Sequence, residues 1–211
     1  SAYLSRSPSS AGNSQTFTLS WWMKRCDVTG TGNQRIFGRA TGSNQFSIMH
    51  EANGRVYCYF NLTSPTDTSE LTFDIKAVDP SAWYHYVMAF DTTQATDSDR
   101  IKFWLNGVLQ NSNMATANWP SQNASFKWNE DLGGLNYFIG GISSFYSNVY
   151  LTEIHNIDGQ ALTADDFGEY SSEYPDVWNP KEYTGSYGTN GFYLNFSDDT
   201  STTTIAEDQS G

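Results

Sequence analysis

Alternation of apolar and polar residues is the feature that most constrains how this chain can fold. In TFTLSWWMK the apolar side chains of one face are Phe17, Leu19, Trp21 and Met23. The segment RVYCYF repeats the same pattern further along the chain. Because side chains alternate between the two faces of a β-strand, a period of two predicts strands that bury one face.

Two segments indicate where such strands lie in a sheet. WYHYVMAFD, residues 83–91, is apolar on both faces, which is typical of a central strand. RIKFWLNGVLQ alternates up to Asn106 and Gly107 and then returns, and Asn-Gly favours a type I′ hairpin turn because both residues tolerate positive φ. With NVYLTEIHN and GFYLNF the pattern predicts roughly ten to twelve strands and almost no helix. Since each sheet must bury its apolar face, the sequence predicts an all-β sandwich of two antiparallel sheets.

Composition and charge exclude several classes of partner. The chain has 211 residues, which fits one large β domain, and its net charge is −12. Nucleic-acid binding through phosphates needs clustered Lys and Arg, so we expect neither nucleic acid nor an anionic membrane surface as a partner. No stretch approaches the about 20 apolar residues of a membrane span. Cys26 and Cys58 are too few for a disulfide framework, and a single bridge between them is left open.

The segment EIHNIDGQALTADDFGEY raises the question of catalysis. Retaining glycosidases hold two carboxylates about 5 Å apart, and the spacing of Glu153, His155 and Asp158 resembles such a pair. However, His155 stands where a helper carboxylate would be. Asp158 precedes Gly159 and belongs to a predicted turn, 156–159. No catalytic residue is therefore predicted.

The second half of this segment reads as a short capped helix near 163–168. Thr163 and Asp166 have the spacing of a capping box, and Leu162 and Phe167 have that of a hydrophobic staple. Gly168 can end the turn. We expect this helix to fix a corner of the sandwich and to perform no chemistry.

Taken together, WYHYVMAFD, IKFWLNGV, NYFIGG and VYLTEIHNIDGQALTADDF resemble the LamG-type branch of the concanavalin A-like lectin/glucanase superfamily over residues 15–170. The segments SAYLSRSPSSAGNSQTFTLSWWMKR and DGQALTADDFGEY, with VWNPKEYTGSYGTNGFYLNFSDD, are similar to domains of tailed-phage virion proteins, especially those of marine phages. The resemblance implies a jelly-roll sandwich at residues 1–198, whose first strand near Arg25 and last strand at 192–196 lie side by side. Residues 199–211 are expected to be a linker to a further domain.

The resemblance also implies a function. It predicts a non-enzymatic virion structural module at the particle surface, in a tail fibre, knob, capsid fibre or decoration protein. Its partners would be other virion proteins and host-surface glycans, and we expect it to be a homo-oligomer. The alternative is a carbohydrate-binding module of a secreted bacterial protein. A glycoside hydrolase is the third hypothesis, and it requires two carboxylates facing each other across a cleft.

Relatives of this type often hold Ca²⁺ at a loop edge, which needs six to eight oxygen ligands. The predicted metal ligands here are Asp91, Asp97 and Asp99. Asn129, Glu130 and Asp131 form a second acidic site. Neither group has a defined ligand spacing, so we expect no required cofactor, with Ca²⁺ as the one candidate and solvated acidic loops as the alternative.

Sugar sites on such sandwiches combine an exposed aromatic ring with amide or carboxylate groups. A long polar stretch, residues 111–134, carries the first candidate glycan site, which consists of Trp119, Trp128, Asn129 and Asp131. A second candidate is Tyr183, Tyr187 and Asn190 in KEYTGSYGTNG. The alternative for both is that the aromatic rings pack their loops onto the sandwich.

Overall fold

The protein is almost entirely β-sheet in the computed structural model, which describes residues 3–8, 10–26, 32–41, 44–62, 67–75, 77–130, 136–142, 145–201 and 204–210. In chain order the strands are β1 Leu4–Arg6, β2 Thr16–Arg25, β3 Gln34–Thr41, β4 Asn44–His50, β5 Val56–Asn61, β6 Thr68–Phe73, β7 Tyr84–Asp91, β8 Ile101–Leu105, β9 Val108–Leu109, β10 Met114–Asn118, β11 Tyr137–Ile139, β12 Gly141–Ile142, β13 Phe145–Tyr146, β14 Val149–Asp158, β15 Gly168–Tyr170, β16 Trp178–Pro180 and β17 Phe192–Leu194. Short 3₁₀ turns lie at Asp97–Asp99, Ala164–Asp166 and Thr204–Ala206.

Two antiparallel sheets form the sandwich. One has seven strands in the order β1-β11-β3-β4-β5-β6-β10, and the other has six in the order β17-β14-β2-β7-β8-β9. The predicted all-β sandwich is confirmed, and β7 is the central strand that its two apolar faces predicted. The hairpin between β8 and β9 is also confirmed, with φ of 47° at Asn106 and 79° at Gly107.

Aromatic side chains from both sheets meet in the core. The alternating residues of β2 point inward as predicted, and Phe17, Leu19, Trp21 and Met23 are fully buried. Trp21 contacts Phe37 across the sandwich, with ring centroids 4.9 Å apart, and Phe73 contacts Phe103 at 4.7 Å. Because fully burying one large apolar side chain stabilises by about 1.5–3 kcal/mol, these rings hold the sheets together.

The outer face of the six-stranded sheet is also apolar, and the chain folds back over it. Buried side chains from the sheet and from the covering segment 160–187 form a second cluster: Trp22, Val87, Ile157, Ala164, Phe167 and Trp178. Trp178 fills a slot beside Gly107 and Gly168, where an added Cβ would lie 2.6 Å and 2.5 Å from its ring. Its Nε1–H donates to His85 Nδ1 at 2.9 Å.

The predicted short helix is present as one 3₁₀ turn within the covering segment. It spans Ala164–Asp166, and Asp166 Oδ2 accepts hydrogen bonds from the backbone N–H and hydroxyl of Thr163 at 2.8 and 3.1 Å. The capping box read from the sequence is confirmed. Leu162 and Phe167 both pack in the outer cluster.

Three predictions about the course of the chain were wrong. Asn156–Asp158 is not a turn, because β14 continues to Asp158, which pairs with Phe17 of β2. The polar stretch 111–134 is not only a loop, since β10 pairs with β6 and Phe126 is buried in the core. The strands β2 and β17 do not lie side by side, because β14 pairs with both and separates them.

The segment predicted as a linker keeps contact with the sandwich beyond residue 198. Asp208 Oδ1 accepts from Tyr193 N at 3.0 Å, and Gln209 N donates to Tyr193 O at 2.8 Å. Asp208 also pairs with Arg6 of β1 at 3.3 Å. The further domain that the linker would reach stays a prediction.

Two remaining expectations concern thiols and membranes. Cys26 is exposed and Cys58 is buried, and both are free. Within the described ranges, the structure contains no helix with the length and apolar character of a membrane span.

We predict that the Trp178→Ala substitution destabilises the fold by about 3–5 kcal/mol, because it empties the slot that joins the covering segment to the sheet. Tyr174→Ala, in the same segment but 60% exposed, is the matched control and should change the free energy of unfolding by less than about 0.5 kcal/mol. Urea denaturation followed by tryptophan fluorescence or far-UV dichroism measures both. Equal midpoints for the two variants would contradict the role given to Trp178.

Candidate functional site

A β-bulge in β14 directs two polar side chains to the outer face of the six-stranded sheet. The register between β14 and β2 shifts just before His155, and Glu153 has a positive φ of 49°. Leu151 and Ile154 both pack against the core although they are three residues apart. The extra residue of a bulge resets the alternation of a strand in this way. As a result, Glu153 and His155 both lie beside Tyr193 of β17.

A pocket of about 490 Å³ lies next to this bulge. It is lined by Glu153 and Tyr193, by residues of the segment 180–187, and by Gln209 and Ser210. Its volume lies within the range of small-molecule sites, about 300–1,000 Å³. Three tyrosines supply most of its aromatic surface: Tyr183, Tyr187 and Tyr193.

The tyrosine rings form a corner. The rings of Tyr187 and Tyr193 are nearly parallel, at 19° with centroids 6.3 Å apart. The ring of Tyr183 stands at 88° to that of Tyr187, with centroids 5.3 Å apart. All three side chains are half-buried, so they offer partly accessible ring surface in two orientations.

Hydrogen bonds fix these side chains. Tyr193 Oη donates to Glu153 Oε2 at 2.7 Å, and the ring of His155 stacks on that of Tyr193 with centroids 4.3 Å apart. His155 Nδ1 lies 3.0 Å from Tyr187 Oη. The bulge, a buried histidine and two tyrosines therefore form one connected network under the pocket.

His155 is neutral in this network. Its Nε2 lies 4.0 Å from Glu153 Oε2, which is close enough for an ion pair. Burial nevertheless lowers the pKa of His155 to about 3. The contact is therefore one between a neutral imidazole ring and the Glu153 carboxylate, and not an ion pair. A proton on Nε2 facing Glu153 leaves Nδ1 to accept from the Tyr187 hydroxyl.

The tyrosine hydroxyls keep their protons. Burial raises the pKa of Tyr187 and of Tyr193 above the usual range, and the charge of Glu153 adds to both shifts. The hydrogen bond to Glu153 raises the pKa of Tyr193 further. Both hydroxyls are therefore neutral donors to the groups that hold them.

The first candidate glycan site does not fit the structure. Trp128 is fully buried, stacks on Tyr137 with centroids 4.3 Å apart, and donates from Nε1 to Asn156 Oδ1 at 3.0 Å. Asn129 is also fully buried. Neither side chain offers a surface to a sugar, which corrects the sequence interpretation of these two residues.

The other members of that site lie apart from one another or outside the described part of the chain. Trp119 follows β10, is half-buried and packs against the core cluster. Asp131 falls outside the described residues. A role for Trp119 in binding stays a prediction.

The second candidate site is partly assembled. Tyr183 and Tyr187 line the pocket, whereas Asn190 is buried and donates from its backbone to Asp158 Oδ2 at 2.9 Å. Tyr193 and Glu153 complete the pocket, and neither was assigned to this site from sequence. The alternation in GFYLNF does place Tyr193 on the other face of the strand from Phe192 and Leu194. The pairing of β17 with the bulge of β14, however, cannot be read from this segment alone.

Asp158 forms a structural junction at the end of β14. Its Oδ1 accepts from Asn13 N at 2.7 Å and from Asn129 Nδ2 at 3.2 Å, and its Oδ2 accepts from Asn190 N. It is 6% exposed. The carboxylate therefore ties the entry to β2, residue 129 and the loop before β17 to the end of β14.

The predicted calcium ligands do not converge on one point. Asp91 accepts from Thr93 and Gln94 within its own turn, and these hydrogen bonds outweigh burial and lower its pKa. Asp97 accepts from the backbone of Ser98, and Asp99 lies 3.4 Å from Lys102 Nζ. Among the described residues no group of three or more His, Cys, Asp or Glu side chains is arranged to hold a metal ion. These carboxylates stabilise local turns and do not fit a calcium site.

A serine–histidine contact that was missed from sequence lies under the covering segment. Ser20 Oγ is 2.9 Å from His85 Nε2, while His85 Nδ1 accepts from Trp178. Both Ser20 and His85 are buried, so no substrate reaches the hydroxyl. The second ring nitrogen is held by an indole and not by a carboxylate, which also differs from a catalytic triad.

A smaller cavity of about 220 Å³ lies at the edge of the sandwich, between β1 and β17. Its walls are mostly apolar and include Leu4, Ile139 and Phe192. The charged groups of its lining, Arg6 and Asp208, pair with each other. A ligand rich in hydroxyls finds few convergent polar partners there, so the tyrosine pocket is the better candidate site.

The family of the chain follows from its sequence. Residues 1–153 match the laminin G model of the concanavalin A-like lectin/glucanases superfamily. The chain belongs to this superfamily. The LamG-type resemblance is thereby confirmed. Except for Glu153, every residue that lines the tyrosine pocket of this superfamily member lies beyond the matched region. No curated protein shows significant similarity to the chain.

Solved structures with some similarity to this chain have low sequence identity to it. The heptameric SAP-like pentraxin of Limulus polyphemus is 16% identical, with a TM-score of 0.48, over 76% of this chain and 71% of that one. The CBM40 of the Ruminococcus gnavus IT-sialidase, bound to α2,3-sialyllactose, is also 16% identical, with a TM-score of 0.48, over 77% and 95% of the two chains. Mouse laminin α1 domains LG4-5 are 11% identical, with a TM-score of 0.49, over 88% of this chain and 45% of that one.

We predict that the free energy of unfolding falls as the pH drops below about 6.5. Burial lowers the pKa of His50, His85 and His155 to about 3 each in the folded protein. Above pH 6.5 these histidines are neutral in both states and their contribution is complete. Between about pH 6.5 and 3 the unfolded chain binds protons that the folded protein does not. In this range each histidine lowers the free energy of unfolding by about 1.4 kcal/mol for each unit that the pH falls.

The comparison of wild type with His155→Gln isolates one of these groups, because the substitution removes this titrating side chain and leaves the other histidines in place. Urea denaturation at about pH 5.5 and 4.5 should give a pH dependence that is smaller by about 1.4 kcal/mol per pH unit in the variant. Identical pH dependences would show that His155 titrates normally in the folded protein.

Proposed function

We propose that the protein is a non-enzymatic glycan-binding domain and that the glycan occupies the tyrosine pocket. The observation that supports this most is the corner formed by Tyr183, Tyr187 and Tyr193 next to the Glu153 carboxylate. A sugar ring has an apolar face that packs on aromatic rings, and its hydroxyls need polar partners around that face. Membership of a superfamily of lectins and glucanases agrees with this proposal.

The same pocket argues against glycoside hydrolysis. Glu153 and Glu182 both line it, and a hydrolase would need two such carboxylates held opposite each other. Glu153 is held by Tyr193, but Glu182 is exposed and makes no hydrogen bond with the residues that the structure describes. A carboxylate without fixed geometry is a poor general acid, because catalysis depends on positioning.

For the biological setting we propose a virion structural protein displayed on the particle surface, as a homo-oligomer among other virion proteins. The support is the resemblance of the segments at both ends of the chain to tailed-phage virion domains, together with the acidic net charge of −12. A carbohydrate-binding module of a secreted bacterial protein is the second candidate, since it would use the same fold and pocket. The flanking domains of the full-length protein distinguish them: a fibre shaft supports the first candidate and a catalytic domain the second.

A glycan array followed by calorimetry on the best ligand tests the pocket. We expect Tyr187→Ala and Tyr193→Ala to weaken binding by about 1–2 kcal/mol, or roughly five- to thirty-fold, because each removes an aromatic surface from the site. Trp119→Ala and the exposed Tyr150→Ala are the matched controls and should bind like the wild type.

Several outcomes would contradict this assignment. Loss of affinity in Trp119→Ala, with full affinity in the tyrosine variants, would move the site to the end of β10. The absence of any ligand on the array would leave only the structural role. Release of new reducing ends from the bound glycan, abolished by Glu153→Gln, would make the protein a hydrolase.

We propose in addition that binding needs no metal ion, because the predicted ligands Asp91, Asp97 and Asp99 are engaged in their own turns. Affinity measured before and after dialysis against EDTA, and again with added Ca²⁺, should be unchanged. A loss of affinity on chelation that Ca²⁺ restores would contradict this, and the variant Asp91→Asn would then show whether that loop is responsible.

A further inference from the structure

Each of the three pocket tyrosines uses its hydroxyl proton in a hydrogen bond to the protein. Tyr193 Oη donates a hydrogen bond to Glu153 Oε2, and Tyr187 Oη donates to His155 Nδ1 when the proton of the neutral imidazole is on Nε2. Tyr183 Oη donates to the backbone oxygen of Ser186 at 3.1 Å and accepts from Gln160 Nε2 at 3.5 Å. A hydroxyl whose proton is committed can still accept through its oxygen. Tyr187 and Tyr193 therefore keep acceptor capacity at their oxygens, and all three tyrosines present π faces to a ligand.

The charged groups around the pocket also favour a ligand with positive charge. The carboxylates of Glu153 and Glu182 line it, opposed by one described cation in the lining, Lys181. The Lys181 ammonium donates to the backbone oxygen of Asp165 at 2.8 Å, a residue outside the lining. Asp208 lies near enough to raise the pKa of Tyr187 slightly, but its carboxylate is paired with Arg6 at 3.3 Å and adds no net charge to the pocket. His155 stays neutral and does not offset these charges.

A ligand that suits such a pocket donates hydrogen bonds and carries positive charge. An ammonium group is attracted by carboxylates and by the faces of aromatic rings, and the second attraction contributes about 0.5–2 kcal/mol depending on desolvation. A sulfate or carboxylate would meet acceptors and like charge, which is unfavourable. The hydroxyls of Thr184 and Ser210 also line the pocket, but a hydroxyl both donates and accepts and does not discriminate.

We infer that the pocket binds an amino sugar whose amine is free and protonated. The ammonium would contact the Glu153 carboxylate, and the apolar face of the sugar ring would pack in the corner of Tyr183 and Tyr187. This inference rests on the proposed glycan function and adds the class of sugar. Glu153 is the last residue of the matched region 1–153, and all other residues that line the pocket lie beyond it. The superfamily match therefore does not describe the pocket.

Calorimetry with two trisaccharides of equal length tests the inference. One consists of glucosamine units, and the other of N-acetylglucosamine units, in which acetylation removes the charge. At about pH 6 the wild type should bind the glucosamine trisaccharide about tenfold more tightly or better, which corresponds to one ion pair in a partly buried site. Added salt should weaken this binding and leave that of the acetylated sugar unchanged.

Matched variants separate the pocket from the general acidity of the protein. Glu153→Gln keeps the acceptor for Tyr193 and should abolish the preference while changing the affinity for the acetylated sugar by less than about threefold. Glu169→Gln removes the same charge from an exposed position in β15 and should retain the preference. Trilysine, a cation without a sugar ring, should bind at least about tenfold more weakly than the glucosamine trisaccharide.

The outcomes distinguish this inference from the glycan function itself. Equal binding of the two trisaccharides, a preference that survives Glu153→Gln, or tighter binding of a sialylated or sulfated sugar would overturn the inference and leave a glycan site. If neither trisaccharide binds, the inference fails, and the array decides whether another glycan does. Should Glu153→Gln unfold, Glu182→Gln gives the same test at an exposed carboxylate, where we expect a reduced preference.

Discussion

Burial of the outer face of the six-stranded sheet determines how the second half of the molecule is arranged. Trp22, Val87 and Ile157 point away from the core of the sandwich and would lie in water if the chain ended at β14. The chain instead returns over them with Phe167 and Trp178. Because one covering segment must span that face, residues 180–187 come to lie beside β14 and β17. The tyrosine pocket is the gap that remains between the covering segment and the sheet.

Two features of β14 make this arrangement specific. The bulge at Glu153 moves a carboxylate to the outer face, next to His155 and Tyr193. At the other end of the strand, the buried Asp158 holds the loop that leads into β17. A buried carboxylate is costly unless several donors satisfy it, and Asp158 has donors from three separate parts of the chain. The two ends of a single strand therefore position the side chains and the backbone of the site.

The sequence predicted the layers of the fold better than the site. Strict alternation in β2 and the two apolar faces of β7 depend on local chemistry, and both predictions were confirmed. Trp119 and Trp128 look alike in sequence, since both stand in a polar stretch, but only Trp128 finds Asn156 and Tyr137 to bury it. These partners lie on distant strands and leave no local signal. Asp158 was predicted to be a turn residue because Gly159 follows it. In the structure it is instead the last residue of β14 and pairs with Phe17.

The site itself depends on contacts that only the folded chain supplies. Tyr183 and Tyr187 were predicted because sugar sites on such sandwiches combine aromatic rings with nearby amide groups, here that of Asn190. Glu153 was considered only as half of a catalytic pair. Its partner Tyr193 follows it by forty residues and reaches it only because β17 pairs with β14 across the bulge. A register of this kind is set by the whole sheet, so no window of sequence contains it.

The contacts of Asp208 and Gln209 also bear on the solution behaviour of the domain. A strand at the border of a sheet leaves one row of amides and carbonyls free to pair with another molecule. In β17 that row is already occupied at Tyr193, where Asp208 takes the N–H and Gln209 gives its own N–H to the carbonyl. These two contacts therefore cover the outward backbone groups of Tyr193, so that this position cannot pair with a strand of another molecule.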